Sequence, residues 1–93
     1  MKVSDPGYVY ELEDGMHLIF MKKENSELVH IGTTNEEVIE VLINRLEYLQ
    51  IKLPCEENGW AVSKLKDALD WLRRRTKKRV EQGIEGNTEL NHK

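Results

Sequence analysis

The stretch Pro54–Arg79, PCEENGWAVSKLKDALDWLRRRTKKR, decides the fold. Pro54 cannot continue a preceding helix, because its ring fixes the backbone and removes an amide donor. From Ala61 onward apolar residues return at helical spacing, which predicts a long helix after a short turn. Since a second periodic segment precedes Pro54, the stretch predicts the turn and the second arm of an antiparallel helical hairpin.

The first arm of the hairpin is predicted to begin at Thr34, which with Glu37 three residues later matches a capping box. Apolar spacings of three and four predict one seam on each arm. The first seam is Ile39, Leu42, Leu46, Leu49 and Leu53, and the second is Ala61, Leu65, Ala68 and Leu72. Other large apolar residues then lie off the seam and lack cover, namely Ile43, Trp60, Val62 and Trp71. Uncovered apolar surface of this kind predicts a homo-oligomer, a dimer or a hexamer.

The residues before the hairpin predict a small antiparallel β-meander of three strands. Tyr8–Leu12 and Met16–Met21 are rich in aromatic and β-branched residues, and Asp14-Gly15 between them is typical of a two-residue type I′ turn. Leu28–Ile31 is predicted to add the third strand. The chain is therefore expected to be one α+β domain over residues 1–93, with the meander over about 7–32, the hairpin over about 34–82 and a polar tail over 83–93.

Composition restricts the classes of function. The net charge of −3 argues against a general polyanion binder, so any attraction for phosphate has to be local. Cys55 is the only cysteine, which excludes an intrachain disulfide and a cysteine-based zinc site. The three histidines show no metal-ligand spacing, and no nucleophile or glycine-loop motif is visible. We expect a soluble cytoplasmic protein that has no metal or cofactor and is not an enzyme.

A basic cluster closes the second arm, where six of the seven residues in Arg73–Arg79 are Arg or Lys. Extending the predicted seam past Leu72 reaches Arg75 and Arg79, which puts two cations at core-type positions. One interpretation is a salt bridge from these arginines to Glu36 or Glu37 at the start of the first arm. The other is that two guanidinium groups one helical turn apart grip a phosphate, for which arginine offers bidentate geometry.

Two further residues are candidates for contacts with a ligand. Asn58 follows the Pro54 turn, so it is either the N-cap of the second helix or a group that reads a base or ribose edge. Tyr48 on the first arm is either a packing residue or a ring that stacks on a nucleobase.

Several segments together resemble a known family. They are RLEYLQ (45–50), PCEEN (54–58), KLKDALDWL (64–72), RTKKR (75–79) and GIEG (83–86). In this order they resemble the phage-encoded helical-hairpin sponge proteins that counter Thoeris and CBASS bacterial immunity. The predicted meander before the hairpin resembles the anti-Thoeris branch of these proteins.

The resemblance implies sequestration, without hydrolysis, of glycocyclic ADP-ribose, the nucleotide signal of Thoeris, and also of the cyclic di- or trinucleotides of CBASS. Carried over by position, Tyr48 would stack on adenine, Asn58 would hydrogen-bond the ligand, and Arg75 and Arg79 would hold the pyrophosphate. Lys23, or Lys22 beside it, would contribute from the sheet edge. The protein would then act in the cytoplasm of an infected bacterium and would not engage membranes.

Two other hypotheses stay open on the sequence. A nucleic-acid-binding regulator would use the basic helix end, although the acidic net charge and the lack of a second basic stripe weigh against it. A structural adaptor without a ligand would need Arg75 and Arg79 only for internal ion pairs. Under the ligand-binding hypothesis, Asn58 and Arg75 are 17 residues apart on one helix, roughly 25 Å, so a mononucleotide-sized ligand that touches both must lie between two chains.

Overall fold

The computed structural model describes residues 1–82, except for the side chain of His30. The predicted tail over 83–93 lies outside the described residues. The elements in chain order are β1 (Lys2–Asp5), β2 (Val9–Glu11), β3 (His17–Ile19), β4 (Lys22–Glu24), β5 (Glu27–His30), α1 (Asn35–Lys52) and α2 (Glu56–Glu81). Two compact units result. The first holds the strands, Met1–Thr34, with the end of α2 from Arg79, and the second is Asn35–Lys78.

The first three strands form the predicted antiparallel meander, in the order β1-β2-β3. β2 and β3 pair as expected, with Tyr10 opposite Leu18. The Tyr10 ring meets Phe20 edge to face at 5.9 Å between centroids. The prediction that Leu28–Ile31 supplies the third strand of this sheet is wrong, because β5 pairs with β4 in a separate sheet and β1 supplies the third strand at the edge of β2.

The connection between β2 and β3 also differs from the prediction. Only Gly15 has a positive φ, +87°, and Asp14 does not. The Gly15 N–H donates to the Leu12 carbonyl at 2.9 Å, and the Leu12 N–H donates to the Met16 carbonyl at 2.7 Å. The loop is therefore a three-residue turn over Glu13–Gly15 with glycine in the left-handed position, rather than a two-residue type I′ turn.

β4 and β5 form a separate two-stranded sheet joined at Asn25 and Ser26. These two residues have φ of 53° and 68°, so the type I′ turn expected at Asp14-Gly15 occurs here instead. After β5 the chain passes close to β3, where a Cβ at Gly32 would lie 2.4 Å from the Ile19 carbonyl oxygen. Glycine is required at this crossing because any side chain would overlap backbone.

The helical hairpin agrees with the prediction in both its arms and its turn. Thr34 directly precedes α1, as an N-cap requires. At the turn the Gln50 side chain donates to the Cys55 carbonyl at 2.7 Å and accepts from the Cys55 N–H at 3.0 Å. Because α2 begins at Glu56, Cys55 is its N-cap, and its Sγ accepts from the Asn58 N–H at 3.4 Å. Asn58 lies inside the first turn, so the N-cap interpretation of Asn58 is wrong.

The packed seam keeps part of the predicted one, because Ile39, Leu46 and Leu49 on α1 and Ala61, Leu65 and Leu72 on α2 are half-buried, but it is rotated to one side of the prediction. Among residues 1–82 the buried side chains are Ile43 and Leu69, both of which the sequence analysis left off the seam. On α2, Val62, Leu65, Leu72 and Thr76 are half-buried, whereas Ala68 and Arg75 are exposed. Leu42 and Leu53 on α1 are exposed as well. The hairpin thus packs along a 62-65-69-72-76 stripe, which puts Thr76 in place of Arg75.

Polar contacts between the helices fix this register. Glu36 accepts from the Thr76 hydroxyl at 2.9 Å, Glu40 pairs with Arg73 at 2.6 Å, and Glu47 pairs with Lys66 at 3.1 Å. From the first to the last of these pairs the residue number rises along α1 and falls along α2, as antiparallel helices require.

Candidate functional site

Two of the cations at the basic end of α2 have identified partners within residues 1–82. The Arg73 guanidinium is held by Glu40, and Arg74 lies over the Trp71 ring at 4.7 Å from its centroid. Such exposed pairs contribute little to stability, typically about 0–1 kcal/mol. Their effect here is to orient two of the arginines away from the candidate anion site.

Arg75 is exposed, and within residues 1–82 no carboxylate lies within ion-pair distance of it. The predicted salt bridge from Arg75 to the start of the first arm is therefore wrong for Glu36, whose carboxylate accepts from Thr76. The physical reason is the rotation of the seam, because Thr76 faces α1 and Arg75 lies about 100° away around the helix.

Arg79 continues the observed stripe, three residues after Thr76, and is half-buried. It lies one helical turn beyond Arg75 on the same uninterrupted helix. Two guanidinium groups at this spacing lie on neighbouring positions of one surface, about 5–6 Å apart at their Cβ atoms. That separation suits two adjacent phosphates.

Tyr48 lies on the outer surface of α1 and is 55% exposed, so it is not a packing residue of the hairpin. The Lys52 ammonium lies 5.4 Å from its ring centroid. The ring borders a shallow hollow of about 530 Å³ along α1, whose lining residues also include Val41, Asn44 and Arg45. An exposed ring beside a cation can stack on a nucleobase.

Asn58 and Lys23 lie far apart in the chain and in different units. Asn58 is half-buried in the first turn of α2. Lys23 is half-buried in β4. Lys22, the alternative to Lys23, is engaged, because its ammonium lies 3.3 Å from Asp5 and 4.7 Å from the Tyr8 ring centroid.

One hairpin does not bring the candidate residues together. Asn58 and Arg75 lie on the same continuous helix of 26 residues, so their 17-residue separation corresponds to roughly 25 Å. Tyr48 lies level with Leu65, one residue past the Glu47–Lys66 pair. It is then about 10 Å from Asn58 and about 15 Å from Arg75 along the axis.

The space between α1 and α2 on their charged flank is a groove of about 450 Å³. It contains the Glu47–Lys66 and Glu40–Arg73 pairs, with Asp70 beside them. Sequence reasoning missed these pairs, although their spacing follows once the antiparallel register is fixed. Because its cations already face carboxylates, this groove is a poor receptor for a phosphate.

Within residues 1–82 there is no group of three or more His, Cys, Asp or Glu side chains arranged to hold a metal ion. No helix in that part of the chain is both long enough and apolar enough to cross a membrane.

Comparison with known proteins gives an informative similarity. No family model matches the chain. The chain is 44% identical over 59 residues to Thoeris anti-defense 1 of Bacillus phage SBSphiJ7. The matched segment is 62% of this chain and 42% of that protein, so the chain spans less than half the length of this relative.

Proposed function

We propose that this chain is a phage anti-Thoeris protein that binds and sequesters, without degrading it, a nucleotide second messenger of bacterial immunity. The ligand is glycocyclic ADP-ribose, and the cyclic di- and trinucleotides of CBASS form a second ligand class. The similarity to Thoeris anti-defense 1, with 44% identity over 59 residues, carries the proposal. The protein acts in the cytoplasm of the infected cell.

The basic end of α2 supplies the anion site in this proposal. Arg75 and Arg79 bind the pyrophosphate through paired N–H donors, which fit phosphate oxygens in a way that a lysine ammonium does not. Arg75 is exposed, and no carboxylate of residues 1–82 pairs with it, which supports this role. Lys23 adds a further cation from β4.

The rest of the nucleotide is recognised by an aromatic ring and an amide. Tyr48 stacks on the adenine and Asn58 hydrogen-bonds the ligand. Exposure of the Tyr48 ring supports stacking, which contributes about 1–3 kcal/mol per base. The Asn58 amide offers both donors and an acceptor, which suits a base or ribose edge.

Because Asn58 and Arg75 are too far apart on one helix to touch the same ligand, the proposed pocket is composite, which means that two chains supply its residues. Two hairpins that pack antiparallel about a two-fold axis bring the turn of one beside the basic end of the other. Each dimer then holds two equivalent sites, each with Asn58 from one chain and Arg75 from its partner.

The apolar surface of the hairpin supports self-association. Only Ile43 and Leu69 are buried in residues 1–82, a thin core for this length. The flank opposite the charged groove carries Leu42 and Leu53, which are 44% and 79% exposed. This flank leads along α2 to Arg75, so a partner that covers it also reaches the anion site.

A thermal-shift panel tests the proposed function. The panel contains glycocyclic ADP-ribose, linear ADP-ribose, a cyclic dinucleotide, a cyclic trinucleotide and a short DNA duplex. We expect glycocyclic ADP-ribose to raise the melting temperature most, since a ligand at about 100 times its dissociation constant stabilises the folded state by about 2.7 kcal/mol. Stabilisation by DNA alone would favour the nucleic-acid regulator, and no shift with any compound would favour the structural adaptor.

A further inference from the structure

The hollow along α1 adjoins the Tyr48 ring and contains polar groups to which the proposed function gives no role. Its volume of about 530 Å³ falls within the usual range for small-molecule pockets, about 300–1,000 Å³. It is lined by Tyr48 and five residues that precede it, namely Glu37, Glu40, Val41, Asn44 and Arg45. Lys52 contacts the ring from the following turn and is not among them. The hollow therefore lies on the side of the ring that faces the start of α1.

A base that stacks on Tyr48 from the hollow lies next to Asn44. Long side chains on an α-helix lean toward its N-terminus and cover the preceding turn. Asn44 is four residues before Tyr48 on the same face of α1, a spacing that puts the Cβ atoms about 5–6 Å apart. The edge of a base held against the ring is then within reach of the Asn44 amide.

The Asn44 amide can take a ligand without losing a contact in the described part of the chain. The side chain is exposed, and within residues 1–82 it makes no hydrogen bond. Glu40, which also lines the hollow, is instead held by Arg73 at 2.6 Å. An asparagine amide offers both donors and an acceptor, so it can form two hydrogen bonds with one base edge.

We propose that Asn44 recognises the base edge in the nucleotide site and gives that site a preference for adenine, an inference that rests on the proposed function. The Asn44 Oδ1 accepts from the N6 amino group of adenine and its Nδ2 donates to N7, which is the bidentate pairing of asparagine with adenine. Guanine and hypoxanthine present two acceptors at the same edge, O6 and N7, so the Asn44 oxygen would face another oxygen. The ligand class is adenine nucleotides.

Arg45 would give the opposite base preference. It lies about 100° around α1 from Asn44, on the other side of Tyr48. A guanidinium donates to O6 and N7 together, which favours guanine or hypoxanthine. The base edge is assigned to Asn44 because its short side chain keeps the amide in the turn that Tyr48 covers. The longer side chain of Arg45 leans further toward the start of α1.

Calorimetric titration with three ligands tests the assignment. They are glycocyclic ADP-ribose, its 7-deazaadenine analogue, in which a C–H replaces N7, and its hypoxanthine analogue, in which an oxygen replaces the N6 amino group. The native chain should bind the hypoxanthine analogue about 10–100-fold more weakly and the 7-deaza analogue about 10-fold more weakly. Asn44→Ala should bind the adenine and 7-deazaadenine ligands equally, because the donor to N7 is gone. Asn44→Arg should prefer the hypoxanthine analogue, because a guanidinium donates to both of its acceptors.

Asn35→Ala is the matched control. It removes the same side chain nine residues earlier, about 180° around α1 from Asn44, and should keep the native affinities for all three ligands. Circular dichroism should show native helical content in each variant, since both asparagines are exposed.

The outcomes separate this inference from the proposed function. Equal native affinities for the three ligands would overturn the inference, and so would a native preference for hypoxanthine or an adenine preference that persists in Asn44→Ala. In each of these cases a nucleotide still binds, so the proposed function stands. If the native chain binds none of the three ligands, the proposed function is wrong and the inference with it.

Discussion

Replacing Arg79 by glutamate is expected to abolish detectable binding of glycocyclic ADP-ribose. The change removes a charge-assisted donor from the pyrophosphate and adds a carboxylate that repels it. Truncating one partner of a hydrogen-bonded charge pair costs about 2–5 kcal/mol, and the added repulsion increases that cost. We therefore expect the dissociation constant to rise by at least about 100-fold, since each 1.4 kcal/mol is a factor of ten. Isothermal titration calorimetry measures the change.

Lys77→Glu is the matched control for this variant. It makes the same charge change two residues earlier, and the side chain of Lys77 lies about 200° around α2 from Arg79. Its effect should be limited to the weak, salt-screened loss of long-range attraction. Native affinity in the Arg79→Glu variant, or an equal loss in both variants, would remove Arg79 from the site.

The second large effect is complementation between two inactive variants. Asn58→Ala and Arg75→Ala should each bind poorly alone, because every composite site in either homodimer lacks one contact. Mixed and refolded together, they form heterodimers in which one site has both residues and the other has neither. With about half of the chains in mixed dimers, about a quarter of all sites are restored. Calorimetry should report this fraction as the stoichiometry of a high-affinity phase.

Subunit exchange has to be verified in the same sample, for example by mass spectrometry of chains with different affinity tags. If exchange is complete and the mixture is as inactive as its parents, the composite pocket is wrong. A site within one chain would behave in this way. Pairing Asn58→Ala with Lys64→Ala is a control, since a change at Lys64 damages no site and the mixture should recover binding in proportion to the Lys64→Ala chains.

The helical hairpin could be predicted because its signals are local. Pro54 breaks the periodic pattern at one point, and Thr34 lies directly before α1. The phase of the seam could not be fixed in the same way. Leu42 and Leu53 offer one apolar stripe on α1, and Ile43 offers a neighbouring one. Periodicity alone does not choose between two adjacent stripes.

Contacts between the helices settle that choice. The Glu36–Thr76 and Glu40–Arg73 contacts require α2 to turn Thr76 toward α1 and Arg75 away from it. Adjacent residues lie about 100° apart around an α-helix, so with Thr76 against α1 Arg75 is exposed and does not take the core position expected of it. The rotation matters for the candidate site, because the sequence left open whether Arg75 pairs with the first arm, and among residues 1–82 the structure shows no such pair.

The strands show where β-strand propensity fails to predict which segments form strands and how they pair. β1 is the sequence KVSD, which contains a single β-branched residue and gives no strong strand signal. It forms a strand because the turn at Gly7, with φ of +86°, returns the chain to pair Val3 with Tyr10. Leu28 and Val29 were correctly predicted as strand residues but were assigned to the wrong sheet. Pairing depends on neighbours distant in sequence, which composition does not encode.

The candidate site is predictable in its chemistry and not in its geometry. The basic cluster and Tyr48 are visible in the sequence, and the 17-residue separation of Asn58 and Arg75 already excludes one compact site on a single helix. Which surfaces of two copies meet depends on the exposed flanks, and these are known only once the seam is placed.

The central claim is that the protein holds its nucleotide intact, and recovery of the bound ligand tests it most directly. The purified chain is saturated with glycocyclic ADP-ribose, freed of unbound ligand by gel filtration, incubated and then denatured, and the released compound is analysed by chromatography and mass spectrometry. We predict recovery of unaltered glycocyclic ADP-ribose at about one molecule per composite site, two per dimer. Recovery of a cleaved product, or of no nucleotide at all, would contradict sequestration.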